Sequence, residues 1–592
     1  LHKRIFKLLL FYTTGFILLC LFLIALAFKL TTRYHPSVYN YESYLAPEIV
    51  EKLKKNYNYK EFKEINEFTQ ALTQDKAIAG VGSDFQTAQL ILDKKIKKIN
   101  YTRIFGTDTN NWENRKKFFT KNVQDHLNKF NELVFNKLVD FKKNNELHKY
   151  GFELDINNKK WRSLETKKKN PNEWDHFSDY ILPYYIQDKG VAYNINKYTR
   201  PNLNIEDATK KFEEKEKNFK WNEIFFILKK NNYKYVAWTN AFVDNLMIGA
   251  MNYSKKSNNP DEWKKIFTIN GEGKLFNFNN DNYKLAIDSF IDFVKEASGS
   301  SIRDTKHNFL SGDGLELLNH LIEPKEGRSD SAVIYNGDAL DAYYSKDNFA
   351  SVEEGYVRFE RPKYNYILMD GWIISSKLTN EEENKFLDTL KMNIYHNNYL
   401  YSNKNIDFNN LNLTKLESIF IKKVQEFIDD EAKENALKTV EKIFNNNEAR
   451  EIVINELNKD ENLKQINWNL LENWKNEINK FIYSKDGNYW NWLSIIRKNS
   501  DDGYSIFENA FTKAFGHVDL SEIANFDYIS YTPADLLTYS FIEKWYFGND
   551  ETAKNIYAQP SENDDYKLFT YPIIDNNLRT KIASYYFEKT KS

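Results

Sequence analysis

Apolar and polar residues alternate along most of this chain, but one stretch near its start is apolar throughout. Residues 8–28, from Leu8 to Phe28, carry no charge and follow Lys3, Arg4 and Lys7. At about 1.5 Å per helical residue such a run spans roughly 30 Å, the thickness of a bilayer's hydrocarbon core. It predicts a single membrane helix. Three basic residues before it and no acid until Glu42 place the N-terminus in the cytoplasm and the remainder of the chain outside. The apolar region of a cleaved secretory signal is shorter, about 7 to 15 residues, and no small-x-small site follows this run, so the helix is expected to remain as an anchor. Cys20, the sole cysteine, faces lipid in this reading. As a lipid-attachment site it would have Leu19 where a small residue belongs.

Past the anchor, short apolar runs that read as strands alternate with helical periodicity. Residues 39–44 look like a strand end, and Pro47 opens a helix, where its missing N–H costs nothing. Residues 77–83 form a small apolar strand ending in a Gly-rich turn, and a helix is expected over 87–92. A long amphipathic helical region covers 114–143, and a solvated Lys-rich loop covers 165–173. Residues 181–194 read as two short strands with a turn between them. Further strands are expected at 233–238, 331–335 and 367–376, the last holding Asp370 inside an apolar run. From about 403 to 515 the pattern becomes charged and helical, which predicts a helical insertion. Strand, loop and helix in alternation make an α/β fold with ligands at strand ends.

The body exceeds the roughly 250–300 residues at which a single core stops growing, so two lobes are expected, with 43 Phe, 39 Tyr and 12 Trp to fill them. With 83 basic and 84 acidic residues, a net charge of −1 offers no global attraction to nucleic acid. A single cysteine excludes an intrachain disulfide. The abundance of Lys, Asn, Ile, Tyr and Phe is the residue set of AT-rich codons.

The sequence lacks HExxH, CxxC, Walker-type and EF-hand patterns, and Gly80-Val81-Gly82 is only the first half of a dinucleotide fingerprint. No metal or cofactor is called for, and no catalytic residue. What stands out is acids among aromatics at strand ends: Tyr41-Glu42-Ser43-Tyr44, Tyr335-Asn336-Gly337-Asp338 and Met369-Asp370-Gly371. In an extended strand Glu42 and Tyr44 share one face and Tyr41 takes the other. Aromatic faces attract organic cations by about 0.5–2 kcal/mol each, and a carboxylate adds a charge-assisted hydrogen bond to an ammonium. An acid inside an apolar strand, as Asp370 is, must be paired, capped or functional.

Taken in order, these motifs resemble the bacterial spermidine/putrescine-binding proteins of ABC importers. Asn40-Tyr41-Glu42-Ser43-Tyr44 with Pro47 is similar to that family's Asn-Trp-x-x-Tyr strand and the helix after it. Val81-Gly82-Ser83-Asp84-Phe85 resembles its Val-Pro-Ser-x-Tyr turn, and residues 182–194 its pair of inter-lobe strands. Residues 221–225 with Asp244, Ile334 to Asp338, Met369-Asp370-Gly371 and Tyr531-Thr532-Pro533 continue the series. The resemblance implies a two-lobed type II periplasmic-binding-protein fold that closes on a polyamine and hands it to permease subunits with a cytoplasmic ATPase, without chemistry of its own. Carried over, Tyr41, Tyr44, Phe85 and Tyr335 are walls, Ser83 a polar contact, Asp244 and Asp370 ammonium partners, and Tyr531 the far end. Tyr41 and Tyr335 replace Trp, Leu368 stands where a Trp is usual, and Asn240-Ala241 lacks an acid for which Glu42, Asp84 or Asp338 would compensate. The implied domains are 1–36 (anchor), 37–190 (lobe 1), 191–366 (lobe 2), 367–535 (lobe 1 again, with the insertion at about 400–520) and 536–592 (lobe 2 again). Alternatives left open are a binding protein for another solute, a surface interaction protein acting through 403–515, and an anchored hydrolase using a carboxylate pair.

Overall fold

The computed structural model describes residues 35–63, 65–253, 276, 278–395, 430–459, 461, 463–483, 521–547 and 550–591. The membrane helix expected at 8–28 lies outside the described residues, among which no helix is long and apolar enough to cross a membrane. The described chain is mixed α/β. Its strands, in chain order, are β1 (Ser37–Tyr41), β2 (Asn58–Phe62), β3 (Ala79–Ser83), β4 (Phe152–Asp155), β5 (Lys160–Ser163), β6 (Leu182–Asn194), β7 (Val236–Thr239), β8 (Asn308–Ser311), β9 (Ser331–Tyr335), β10 (Val357–Glu360), β11 (Tyr364–Ile374), β12 (Thr532–Pro533) and β13 (Lys567–Thr570).

The sheet order β2-β1-β3-β11-β6-β9-β7-β8 is built of two similar halves. In one, β1 pairs in parallel with β2 and β3, and β3 lies antiparallel to β11. In the other, β7 pairs in parallel with β8 and β9, and β9 lies antiparallel to β6. Each half therefore has a switch point, next to β1 and next to β7, where loops at the carboxyl ends of parallel strands part and leave a crevice. The long strands β6 and β11 pair with each other and run through the middle. β3, a run of small apolar residues, is buried at every position, and so is β6, which lies between β11 and β9 and is antiparallel to both.

Two expectations are corrected. Residues 182–194 form one continuous strand and not two strands with a turn. The polar string Gln187-Asp188-Lys189-Gly190 looked like a turn, yet its groups meet partners distant in sequence: Asp188 pairs with Arg361 and accepts from the Tyr566 hydroxyl. Gly190 is required because a Cβ there would lie 2.4 Å from the Phe359 ring. Part of the Lys-rich loop is helical, Leu164–Lys169, with Ser163 accepting from the Thr166 N–H as N-cap; that cap suffices for one and a half turns.

The helix expected at 87–92 begins earlier, at Asp84, directly from the end of β3, and the long region resolves into a helix at Lys121–Lys143. The part of the insertion that is described is helical, at Asp430–Asn445, Asn447–Leu457 and Leu471–Tyr483. These helices bury Val440, Ile443, Val453, Leu457, Trp468 and Trp474. The C-terminal helix Asn576–Lys591 packs on the helices Phe242–Tyr253 and Tyr283–Ser298 of the β7 side.

Candidate functional site

The carboxyl ends of β1, β3 and β9, the middle of β6 and β11, and the start of the helix Phe242–Tyr253 bring most of the acid and aromatic candidates together. Asp370 sits on β11 directly opposite Ser83 of β3. Ser83 Oγ donates to Asp370 Oδ1 at 2.7 Å, the Tyr44 hydroxyl donates to Oδ2 at 2.9 Å, and Gln187 Nε2 stands 3.5 Å from the same oxygen. The Tyr41 hydroxyl is 2.9 Å from Ser83 Oγ. Asp370 is 3 % exposed, and burial pushes its carboxyl up to about 7 against the pull of the Ser83 and Tyr44 hydroxyls. Every group that touches it is neutral, and no ion pair to it is formed among the described residues.

Tyr44 reaches this position because the chain turns. Ser43 has φ of +56°, which ends the alternation of β1, and Asn40 Nδ2 and the Tyr184 hydroxyl both donate to the Tyr44 carbonyl. Tyr41 and Tyr44 consequently meet edge to face at 5.6 Å. This corrects the extended reading, in which Glu42 and Tyr44 shared a face. Glu42 instead points to solvent, 3.0 Å from Lys63.

A second acid station lies on the other half. Asp244, in the first turn of its helix, is 3 % exposed. Its Oδ1 accepts from the Tyr571 hydroxyl at 2.5 Å, and its Oδ2 from the Tyr335 hydroxyl at 3.2 Å. Lys189 Nζ lies 2.9 Å from that Oδ2 and 3.5 Å from the centre of the Tyr335 ring. Lys189 and Tyr335 are cross-strand neighbours on β6 and β9, so register alone places the cation over the ring.

Asp338 accepts from the Tyr531 hydroxyl at 2.6 Å and from the Tyr335 N–H at 3.3 Å, and burial raises its carboxyl above the usual range. The Tyr531 ring packs against Gly337, where a Cβ would come within 1.6 Å of its Cδ1, and meets Tyr44 at 5.4 Å. Tyr531 thereby bridges the two halves.

Asp84 and Phe85 touch none of Asp370, Asp244 and Asp338 by a hydrogen bond among the described residues. Asp84 is fully engaged: Oδ1 accepts from the Phe85 N–H, and Oδ2 from the Met369 N–H with His126 Nε2 at 2.6 Å. It ties the start of its helix to β11 and to the helix Lys121–Lys143. Phe85 stacks on Tyr571 at 5.2 Å and lines a cleft of about 430 Å3 together with Gln86, Val243, Ile574 and Arg579. Sequence reasoning missed Gln187, Lys189, His126 and Tyr571. The first two lie in the string read as a turn, and the other two carry no local signal.

No family model and no curated protein sequence matches the chain. Among solved structures it is similar to the spermidine/putrescine ABC transporter substrate-binding protein PotD of Streptococcus pneumoniae, at 10% identity over 61% of this chain and 78% of that one, with a TM-score of 0.34. The TpPotD lipoprotein of Treponema pallidum matches at 13% identity over 62% and 84%, TM-score 0.34. An ABC transporter solute-binding protein of Thermotoga lettingae, bound with α-D-tagatose, matches at 11% identity over 61% and 77%, TM-score 0.36. These neighbours are substrate-binding proteins of ABC transporters with different ligands. Likenesses this slight leave the weight on the chain's own sheet order and side chains.

Proposed function

We propose that this chain is the extracytoplasmic substrate-binding component of an ABC importer, a two-lobed type II periplasmic-binding-protein fold tethered through residues 8–28. Lobe 1 comprises 37–190 with 367–535, and lobe 2 comprises 191–366 with 536–592. It captures an organic cation between the lobes and delivers it to a permease. Spermidine and putrescine are the candidates that the sequence motifs name. The observation that carries this reading is Asp370: a buried carboxylate beside the end of β3, held by the Ser83 and Tyr44 hydroxyls, with no ammonium or guanidinium against it among the described residues. An isolated buried charge is costly, and an ammonium supplied from outside removes that cost. The mirrored strand order supports it, since two crevices facing each other across β6 and β11 form one enclosed site on closure. Differential affinity of the ligand for the closed form supplies the shift.

Isothermal titration and thermal shift of residues 37–592 with monoamines, putrescine, spermidine, sugars and metal ions test the reading. A ligand at 100 times its Kd raises stability by about 2.7 kcal/mol. Stabilisation by amines is expected; stabilisation by sugars alone would redirect the substrate, and none by any solute up to millimolar concentration would sink the reading. The tether is tested by fractionation: the full chain should stay with membranes after carbonate washing, and Cys20→Ser should leave it there. Release on that substitution would make the anchor a lipid.

A further inference from the structure

Lys189 is fully buried at the centre of the molecule, on the strand that joins the halves, and it is aimed into the site. On one face of β6, Tyr185, Gln187 and Lys189 follow at every second residue. Gln187 serves the Asp370 station and Lys189 the Asp244 station. The Lys189 ammonium rests 2.9 Å from Asp244 Oδ2 and over the Tyr335 ring at 3.5 Å. Nζ makes no hydrogen bond among the described residues. A carboxylate below and an aromatic face beside is the arrangement that receives an ammonium of a bound amine. Here the protein supplies that ammonium itself. The Asp370 station likewise holds a buried carboxylate by a tyrosine hydroxyl, but no cation of the protein is paired with it among the described residues.

Resting on the reading of the cleft as a cation site, we infer that Lys189 is a specificity-determining residue that occupies one of two amine positions, so that the ligand brings a single ammonium, to Asp370. A diamine reaching from Asp370 to Asp244 would set its second ammonium against that of Lys189, which already stands 2.9 Å from Asp244, and like charges that close repel. The preferred ligand class is therefore a monocation: an amine with one charged nitrogen and a neutral or polar remainder reaching toward Tyr531 and Tyr335.

The test compares butylamine with putrescine, which share four carbons and differ by one ammonium, on the wild-type chain and on Lys189→Met, which keeps the stem and removes the charge. In the wild type putrescine should bind no tighter than butylamine. In Lys189→Met, where Asp244 is left without its cation, putrescine should gain at least about tenfold over butylamine, the order of one charge-assisted contact. It should also restore the melting temperature that the substitution lowers. Lys189→Gln, a polar replacement, should show the same change of preference and serves if the Met variant does not fold. An unchanged butylamine-to-putrescine ratio in both variants, or a wild type that prefers putrescine, overturns the inference and leaves the cation reading intact. Absence of amine binding in the wild type and in both variants overturns both.

Discussion

Tyr44 and Asp370, 326 positions apart in the chain, meet at 2.9 Å through the tyrosine hydroxyl. The contact joins the turn after β1 to the middle of β11, and the residue that receives it is a buried acid with no cation against it among the described residues. Replacing Asp370 by Asn keeps the shape and removes the charge. Loss of a buried charged partner costs about 2–5 kcal/mol in binding, so amine affinity measured by titration should fall by that amount, more than for Tyr41→Phe or Tyr531→Phe. The variant should fold, since Ser83 Oγ can accept from the new amide. Normal binding by the variant would reduce Asp370 to a structural acid.

The proton on Asp370 gives a second prediction. Its carboxyl is raised to about 7, whereas in the unfolded chain it titrates near 4. The folded form therefore binds this proton more tightly, and the stability it contributes is complete below about pH 4 and lost as pH rises through about 7. The melting temperature of the wild type relative to Asp370→Asn should fall across that window. Cation binding requires the carboxylate, so amine affinity should move in the opposite sense, weakening below about pH 7 toward tenfold per unit. Calorimetric titrations of the wild type and of Asp370→Asn at pH 5, 6, 7 and 8 read this directly. Equal slopes in both proteins would place the titrating group elsewhere.

Gly337 is predicted to set the position of Tyr531. A Cβ at 337 overlaps the tyrosine ring at 1.6 Å, so Gly337→Ala must push the ring off and break its 2.6 Å bond to Asp338. Overpacking of this kind costs about 1–3 kcal/mol, readable in a denaturant melt. Amine affinity should drop more than in Tyr531→Phe, which loses the hydroxyl and keeps the wall. Full affinity in Gly337→Ala would show that Tyr531 is no part of the site.

The insertion should be dispensable for ligand capture. Its described helices pack on one another, and long surface insertions are tolerated where they leave and return close together. Replacing residues 403–499 by a short Gly/Ser linker should preserve the melting transition and amine affinity. The replacement must spare the helix Ser521–Ile529, because Asn525 Oδ1 accepts from the Ala46 N–H while its Nδ2 donates to the hydroxyls of Tyr184 and Tyr185. Loss of folding would assign the segment to a lobe's core.

The elements most legible in the sequence were those whose pattern is uniform over their length, such as the apolar runs of β3 and β9 and the long helix ending at Lys143. Asp370 was legible for the complementary reason, as one acid breaking an apolar run. β6 was misread because a buried strand that carries Gln187, Asp188 and Lys189 has the composition of a turn. Only the partners that tertiary structure brings, Tyr44 to Gln187, Arg361 to Asp188 and Asp244 to Lys189, show why these polar groups are buried. Tyr44 was assigned to the wrong face because alternation was extended three residues past Tyr41, the end of β1, into a turn that Ser43 makes by a positive φ. Tyr571 gave no signal, since an aromatic far along the chain becomes part of the site only through the pairing of β13 with β11.

That last pairing bears on how the protein comes into being. A ribosome makes Tyr44, Ser83 and Asp244 well before Tyr571, and segments begin to fold as they emerge. The Tyr571 hydroxyl on Asp244, the last side chain to reach the second station, arrives with β13, after Lys189, Asp244 and Tyr335 have been made. The second station is thus completed after the first, and a chain stopped anywhere short of β13 presents Asp244 without the Tyr571 hydroxyl.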